Sequence, residues 1–176
     1  RRVLFRSWDT VTPIPTYVKV TNGYEDASAS GAEYPLQVMN PHYLRRAHSV
    51  FDNIGWLREA WTNPVFISTA DAEAAGVSDG DTVLVSSPYG QCVRNACVYA
   101  GLMPGVVALP HGAWVAVDEE TGIDAAGADN YLTGPAPNGQ GVSGYNSALC
   151  KIEKYTGEAL APDAEQPLRI VCKDGE

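Results

Sequence analysis

Residues 70–83 read Ala-Asp-Ala-Glu-Ala-Ala-Gly-Val-Ser-Asp-Gly-Asp-Thr-Val. The first half of this stretch carries the signals of a short helix. Ser68 can cap its start, because Asp71 stands three residues later, at the spacing of a capping box. Gly76 suits the left-handed conformation that often follows the last residue of a helix. The sequence therefore predicts a helix over residues 68–75.

The second half of the stretch and its surroundings indicate strands. Asp-Gly-Asp at residues 79–81 predicts a tight turn, and the β-branched residues that follow it favour a strand. Comparable short runs suited to strands occupy residues 35–39, 65–67, 82–87, 91–99, 106–109 and 148–152. Many short strands separated by turns are typical of a barrel or a sandwich. We therefore predict a mainly β fold with one or two short helices.

The chain has 176 residues, which fits one domain with tails. We place the domain at residues 34–155, where the strand pattern lies. Residues 1–33 follow no clear pattern and are interpreted as a linker or the tail of a preceding domain. Residues 156–176 contain two prolines, which break regular structure, and are interpreted as a C-terminal tail. The beginning has neither an initiating Met nor an apolar run of signal-peptide length, so we expect a piece of a longer chain.

Charge and hydropathy argue against two classes of partner. The formal net charge is −9, whereas a nucleic-acid-binding protein normally presents a basic face. No run approaches the roughly 18 consecutive apolar residues of a membrane span, so we expect a soluble piece with no direct membrane span. We therefore predict no nucleic-acid partner and no direct membrane span.

The four cysteines are Cys92, Cys97, Cys150 and Cys172, and they include no Cys-x-x-Cys pair. Free cysteine behaves as a small hydrophobic residue, and three of these positions lie in or near predicted strands. We predict free, packed thiols. A disulfide or a zinc site remains an alternative with weak support in the spacing.

Several blocks accompany residues 70–83 in a fixed order along the chain. They are Asn-Pro-His at 40–42, Arg-Ala-His-Ser at 46–49, the run from Met-Pro-Gly-Val to Gly-Ala-Trp at 103–114, Asp-Asn-Tyr-Leu-Thr at 129–133, and residues 146–154. Taken together, the chain resembles the molybdopterin dinucleotide-binding, C-terminal domain of the dimethyl sulfoxide reductase family of molybdenum and tungsten oxidoreductases. The resemblance implies a six-stranded double-psi β-barrel of the aspartate decarboxylase-like type.

The resemblance also implies a cofactor and the residues that bind it. The cofactor is molybdopterin guanine dinucleotide with molybdenum or tungsten, bound jointly with other domains of the enzyme. The residues that match the family's binding blocks are Asn40, His42, Arg46, His48, Ser49, Gly112, Trp114, Asn130, Tyr145 and Asn146. No block matches a metal ligand or an iron–sulfur motif, so we expect no catalytic residue here and an inactive isolated domain. In the last block the residue before Leu149 is Ala148, where the family often has a polar residue.

Residue chemistry agrees with this assignment. Between residues 20 and 93 the only basic side chains other than His are Arg45, Arg46 and Arg58. Arginine offers a planar fork suited to phosphate, so we expect an exposed Arg46 to hold the diphosphate beside His48. A short turn or helix capped by Ser49 would direct its free amides at the same anion. In contrast, Arg94 lies outside the family blocks and is expected to play no part in the site.

The other candidate residues offer complementary chemistry. Gly112 permits a close approach of the backbone to a ligand, and Trp114 provides a flat wall with one donor. The amide of Asn130 can pair with an edge of pterin or guanine. Each of these three residues also has an ordinary structural interpretation, as a turn or core residue.

Alternative functions differ in the chemistry that they require. A transhydroxylase, hydratase or catechol dehydroxylase of the same superfamily is favoured by residues 141–147. A non-catalytic double-psi interaction module is a more distant alternative, and no Gly-Ser bond exists for a self-processing decarboxylase. The resemblance implies an enzyme of anaerobic respiration with an iron–sulfur electron-transfer subunit as a further partner. Its compartment is not fixed by this sequence, and a bacterial parent exported to the cell envelope is one expectation.

Overall fold

The computed structural model describes residues 14–135 and 147–158. Seven strands lie in this part of the chain: β1 (Leu36–Met39), β2 (Pro64–Ile67), β3 (Thr82–Ser86), β4 (Gln91–Val98), β5 (Val106–Ala108), β6 (Ile123–Asp124) and β7 (Leu149–Lys154). The helices are α1 (Tyr24–Ala27), α2 (Gly55–Ala60), α3 (Thr69–Ala75) and one 3₁₀ helix, η1 (Asp129–Leu132). The longest of them has seven residues, far too few to cross a membrane.

Six of the strands close into a barrel. Neighbouring strands follow the order β2, β5, β1, β7, β3, β4, and β4 pairs back onto β2 in parallel, with Pro64 opposite Asn95. The short strand β6 pairs in parallel with the first two residues of β4, Gln91 and Cys92. The prediction of a mainly β, six-stranded double-psi barrel is confirmed.

Valine and isoleucine fill the centre of the barrel. Val65, Ile67, Val83, Val85 and Val107 are completely buried. Each strand places every second side chain on the same face, so these residues point inward together. Burial of such side chains contributes about 1.5–3 kcal/mol each to folding, which makes this cluster the main source of stability.

Helix α3 confirms the prediction made from residues 68–75. The Ser68 hydroxyl accepts a hydrogen bond from the backbone N–H of Asp71 at 3.1 Å. Gly76 ends the helix in the left-handed conformation, with φ of 65°. The Asp71 carboxylate also accepts the backbone N–H of Gly105 at 2.9 Å, which ties the helix to the turn before β5.

Two short helices were not predicted. Helix α2 begins after Ile54, which has no polar side chain to cap it, and α1 is only one turn long. Neither helix has the Ser-x-x-Asp start and the following Gly that identified α3, although at α1 the Gly23 N–H donates to the Asp26 carboxylate at 3.4 Å. Helix α1 lies in the segment interpreted as a linker, and the boundaries at residues 34 and 155 remain predictions.

The cysteines of the described residues are free thiols, as predicted. Cys92 and Cys150 are buried in strands, and Cys97 lies near the end of β4. Burial raises the pKa of Cys92 to about 12, so this thiol is un-ionised and unreactive at neutral pH. Cys172 lies outside the described residues.

Candidate functional site

A pocket opens where two parallel strands end. Strands β1 and β5 run side by side in parallel, with Val38 opposite Val107, so the loops that follow them emerge at the same end of the barrel. The 3₁₀ helix η1 completes the wall. The cavity has a volume of about 250 Å³ and is lined by Asn40, His48, Ser49, His111, Gly112, Asp129, Asn130 and Thr133. Polar side chains and backbone from three separate segments therefore converge on one concave surface.

Most of the predicted site residues meet at this pocket. Five of them line it: Asn40, His48, Ser49, Gly112 and Asn130. The ring of His42 lies at its edge, with its centroid 5.0 Å from that of His48. Arg46 and Trp114 lie behind the lining residues and contact the loops instead. Tyr145 and Asn146 lie outside the described residues.

The two main loops touch each other at Gly112. Its φ is +89°, and a Cβ placed on it would overlap the backbone carbonyl of His48. His48 itself has a positive φ of 51°, which is uncommon for a residue with a side chain. Only glycine at position 112 allows the loops to approach this closely, so this residue fixes the width of the pocket.

Trp114 connects the same two loops from behind. Its indole N–H donates to the carbonyl of Ser49 at 2.8 Å, and its backbone N–H donates to the carboxylate of Asp52 at 2.9 Å. These bonds hold the backbone of Ser49 in place. The indole therefore supports the pocket through a hydrogen bond, in addition to the flat surface that the sequence suggested.

Asp129 is a buried pocket residue that the sequence reasoning missed. One carboxylate oxygen accepts the backbone N–H of Gly112 at 3.0 Å, and the other accepts the side-chain amide of Asn40 at 3.0 Å. The residue is only 3% exposed. It belongs to the Asp-Asn block at 129–130, but only the long-range partners distinguish it from an ordinary turn Asp.

The expectation of an exposed Arg46 is wrong, because its side chain is only 1% exposed. Its guanidinium donates to the carboxylate of Asp52 at 2.9 Å, to the side chain of Asn63 at 2.6 Å, and to the carbonyls of Pro110 and His111 at 3.3 and 3.1 Å. All three nitrogens of the fork therefore have protein acceptors. In this arrangement Arg46 holds the loop after β5, and any action on a ligand is through its charge or through that loop.

The turn after Ser49 also differs from the expectation. No helix starts at Ser49; the next helix, α2, begins at Gly55. Asp52 does not contribute to a cap but is fully buried, where its carboxylate accepts from Arg45 at 2.8 Å as well as from Arg46. The two buried arginines need a nearby negative charge, which explains why the Asp52 side chain is buried beside them.

Arg94 is a structural residue of the site, contrary to the expectation that it plays no part. It is 1% exposed and donates to the carbonyls of Pro64 and Pro110, each at 3.0 Å, and to that of Gly127 at 2.9 Å. Burial lowers its pKa to about 10, so the guanidinium stays charged at neutral pH. Arg94 and Arg46 both bind the carbonyl of Pro110, and together they fix the loop that leads to Gly112.

The buried charged side chains nearly balance one another. Among the described residues, the buried charged side chains are Arg45, Arg46, Arg58, Arg94, Asp52, Asp124 and Asp129. Four arginines and three aspartates leave one formal positive charge. The buried set therefore lacks the negative excess of the whole chain, whose net charge is −9.

Three histidine rings gather at the mouth of the pocket. The centroid of the His111 ring is 4.5 Å from that of His42 and 5.0 Å from that of His48. Burial lowers the pKa of His111, and its neighbours His42 and His48 contribute to the shift. The sequence reasoning left His111 out of the site, although it directly precedes the Gly-Ala-Trp block. Its Nε2 is buried without a hydrogen-bond partner among the described residues.

Comparisons with known proteins agree with this geometry. The family model for the Molydopterin dinucleotide binding domain matches residues 36–148. Dimethyl sulfoxide reductase DmsA of Escherichia coli (strain K12) is 34% identical over 148 residues, which cover 83% of this chain and 18% of the relative. The dimethyl sulfoxide/trimethylamine N-oxide reductase of Cereibacter sphaeroides is 32% identical over 160 residues, covering 85% of this chain and 19% of the relative.

A solved structure shows a similar fold. Acetylene hydratase from Pelobacter acetylenicus superposes with a TM-score of 0.60 at 21% identity, covering 70% of this chain and 19% of that one. The present chain spans about a fifth of the length of these relatives. Molybdopterin guanine dinucleotide with molybdenum is the cofactor that the family assignment brings with it. The chain belongs to the molybdopterin dinucleotide-binding domains of the dimethyl sulfoxide reductase family.

Proposed function

We propose that the pocket at the ends of β1 and β5 binds molybdopterin guanine dinucleotide and orients it in a larger reductase. The observation that carries this proposal is the convergence of Asn40, His48, Ser49, Gly112 and Asn130 on one pocket, with the guanidinium of Arg46 bonded to the loop behind it. When bound, the cofactor supplies metal-centred oxygen-atom and electron transfer to the whole enzyme. The role of this chain is to bind and orient it.

The residues present fit such a ligand. His48 and Ser49 offer donors to a diphosphate, and the loop contact at Gly112 brings backbone close to the ligand. Asn130 offers both a donor and an acceptor to a heterocycle edge. The buried Nε2 of His111, which has no partner among the described residues, can bind one further polar atom of the ligand.

The size of the pocket supports joint binding with other domains. Its volume of about 250 Å³ is below the roughly 300–1,000 Å³ of pockets that enclose a drug-sized ligand. A dinucleotide with a pterin is larger than that, so this chain can cover only part of it. We therefore propose that other domains of the same catalytic chain complete the site. An iron–sulfur subunit and export of the parent to the bacterial envelope remain predictions.

The reductase reaction is favoured over the alternatives within the superfamily. The reductase relatives are 32–34% identical to this chain, whereas the hydratase shares only its fold at 21% identity. The sequence feature that favoured a transhydroxylase, hydratase or dehydroxylase lies in residues 141–147, and residues 141–146 are outside the described part. The reaction of the whole enzyme and its sulfoxide or N-oxide substrate are therefore proposals.

Ser49→Ala in the full-length enzyme tests the site. The loss of one hydrogen bond to a charged group removes about 1.5–3 kcal/mol, or about tenfold to hundredfold in affinity. We expect less molybdenum per mole of protein, measured by elemental analysis, at an unchanged melting temperature of the cofactor-free form. The control is Ser78→Ala, an exposed serine in the turn before β3. Equal molybdenum content in the wild type and Ser49→Ala would remove Ser49 from the site.

A further inference from the structure

The chain contains three histidines in all, and the fold brings every one of them to the same place. His42 and His48 lie in the loop after β1, whereas His111 follows β5 and comes from a distant part of the sequence. Their ring centroids lie 4.5–5.0 Å apart. The parallel pairing of β1 with β5 is therefore what assembles the cluster.

The ring nitrogens are close enough for one metal ion. One nitrogen of each ring lies within 4.8 Å of those of the other two. Bonds of about 2.0–2.1 Å in a tetrahedral site place two nitrogen ligands about 3.4 Å apart. His42 and His48 are exposed, so rotation of their rings can close the remaining gap. His111 is half-buried, and its Nε2 has no hydrogen-bond partner among the described residues.

The surroundings tolerate a cation at this point. The carboxylate of Asp129 and the guanidinium of Arg46 both lie near His111, and their opposite charges offset each other. Arg46 is also paired with the carboxylate of Asp52. The pocket beside the cluster is open, which leaves a coordination position for water. Three imidazoles with one open position suit zinc, nickel, copper or cobalt, and not magnesium or calcium, which prefer oxygen ligands.

We propose that His42, His48 and His111 chelate one divalent transition-metal ion when no dinucleotide occupies the pocket. The chelate itself needs only these three side chains, whereas its competition with the dinucleotide rests on the proposed function. It would fill the mouth of the pocket, and the ion and the dinucleotide would then exclude each other. The metal-binding state is accordingly a property of the cofactor-free protein.

Titration of the tag-free, 176-residue chain with nickel chloride in a calorimeter tests the proposal. We expect one ion per chain. His42→Asn, His48→Asn and His111→Asn should each raise the Kd by more than about tenfold, since loss of even an outer hydrogen-bond partner of a metal ligand costs about 10–100-fold. Cobalt chloride should give visible absorption bands of a low-symmetry site in the wild type, weakened in each variant.

The control is Cys97→Ser, which removes a partly accessible thiol that could bind nickel elsewhere. It should leave affinity and stoichiometry unchanged, and circular dichroism shows that each variant is folded. Absence of saturable binding, or nickel affinity that survives in folded His→Asn variants, would overturn the proposal. Loss of binding in Cys97→Ser would also overturn it, because the site would then be a thiol.

Discussion

The carboxylate of Asp129 joins Asn40 to Gly112 across the pocket, with both hydrogen bonds at 3.0 Å. Asn40 follows β1 and Gly112 follows β5, so a single side chain connects the two loops that come after these parallel strands. Because the residue is buried, both bonds form in a region where a lost partner is costly. Asp129 is in this sense a positioning residue of the candidate site.

Asp129→Ala is expected to destabilise the protein. The variant leaves the buried Gly112 N–H without an acceptor, at a cost of about 1–3 kcal/mol, and also removes the acceptor of the half-buried Asn40 amide. Urea unfolding followed by circular dichroism measures the change in the free energy of unfolding. Glu73→Ala, on the exposed face of α3, is the control and should change it by less than about 0.5 kcal/mol. A similar small change for Asp129→Ala would contradict the positioning role.

Gly112→Ala separates backbone strain from the contact between the loops. Gly112 and Gly80 have similar positive φ angles, +89° and +82°, but only at Gly112 would a Cβ meet another atom, the His48 carbonyl. Gly80→Ala should cost about 1–2 kcal/mol, the penalty of a left-handed conformation for a residue with a side chain. Gly112→Ala should cost more, and the excess in urea unfolding measures the loop contact. Equal costs would show that the loops can separate without penalty.

Helix α3 shows what could be predicted from the sequence. The helix depends on Ser68, Asp71 and Gly76, which lie close together in the chain, and its bounds were predicted to within one residue. The ordered blocks then identified the barrel and most of the pocket. Local signals and family blocks suffice where the interaction partners are near in sequence or belong to a known pattern.

The position of Arg46 could not be predicted, because its acceptors are distant. Asn63 and the carbonyls of Pro110 and His111 lie 17 to 65 residues away along the chain. From the sequence alone, a basic residue next to two histidines is expected at the surface, where it would bind a ligand. Its distant acceptors are what place it in the interior. Asp129 and His111 were missed for the same reason, since their roles come from contacts between loops and not from their neighbours in sequence.

Asp52 is expected to make the protein sensitive to acid. Burial by itself raises its pKa, but the Trp114 N–H and the guanidiniums of Arg46 and Arg45 outweigh it, and the net pKa lies below the ordinary value. A carboxyl with a depressed folded pKa contributes stability above its unfolded pKa, about 3.9, and loses that contribution as the pH falls through the folded pKa. The free energy of unfolding should therefore decline as the pH falls below about 4.

The matched variant for this pH dependence is Asp52→Asn. It should be less stable than the wild type at pH 7, because Arg45 and Arg46 lose their shared counter-charge. Its stability should also fall less steeply below about pH 4, since the titrating group is gone. Urea midpoints measured across this range give both quantities. Parallel pH curves for the two proteins would show that Asp52 does not contribute to the acid sensitivity.

Arg46→Ala is expected to act on folding first and on cofactor content second. Its removal leaves Asp52 with one arginine and withdraws the donors from Asn63 and Pro110, and breaking a buried ion pair costs about 3–5 kcal/mol. The melting temperature should fall together with molybdenum content in the full-length enzyme. This differs from Ser49→Ala, for which we expect molybdenum loss without destabilisation.

Arg46→Lys sharpens the comparison, because it keeps the charge but loses the planar guanidinium that donates to four acceptors. A stable Arg46→Ala protein with selective molybdenum loss would instead place the guanidinium on the ligand.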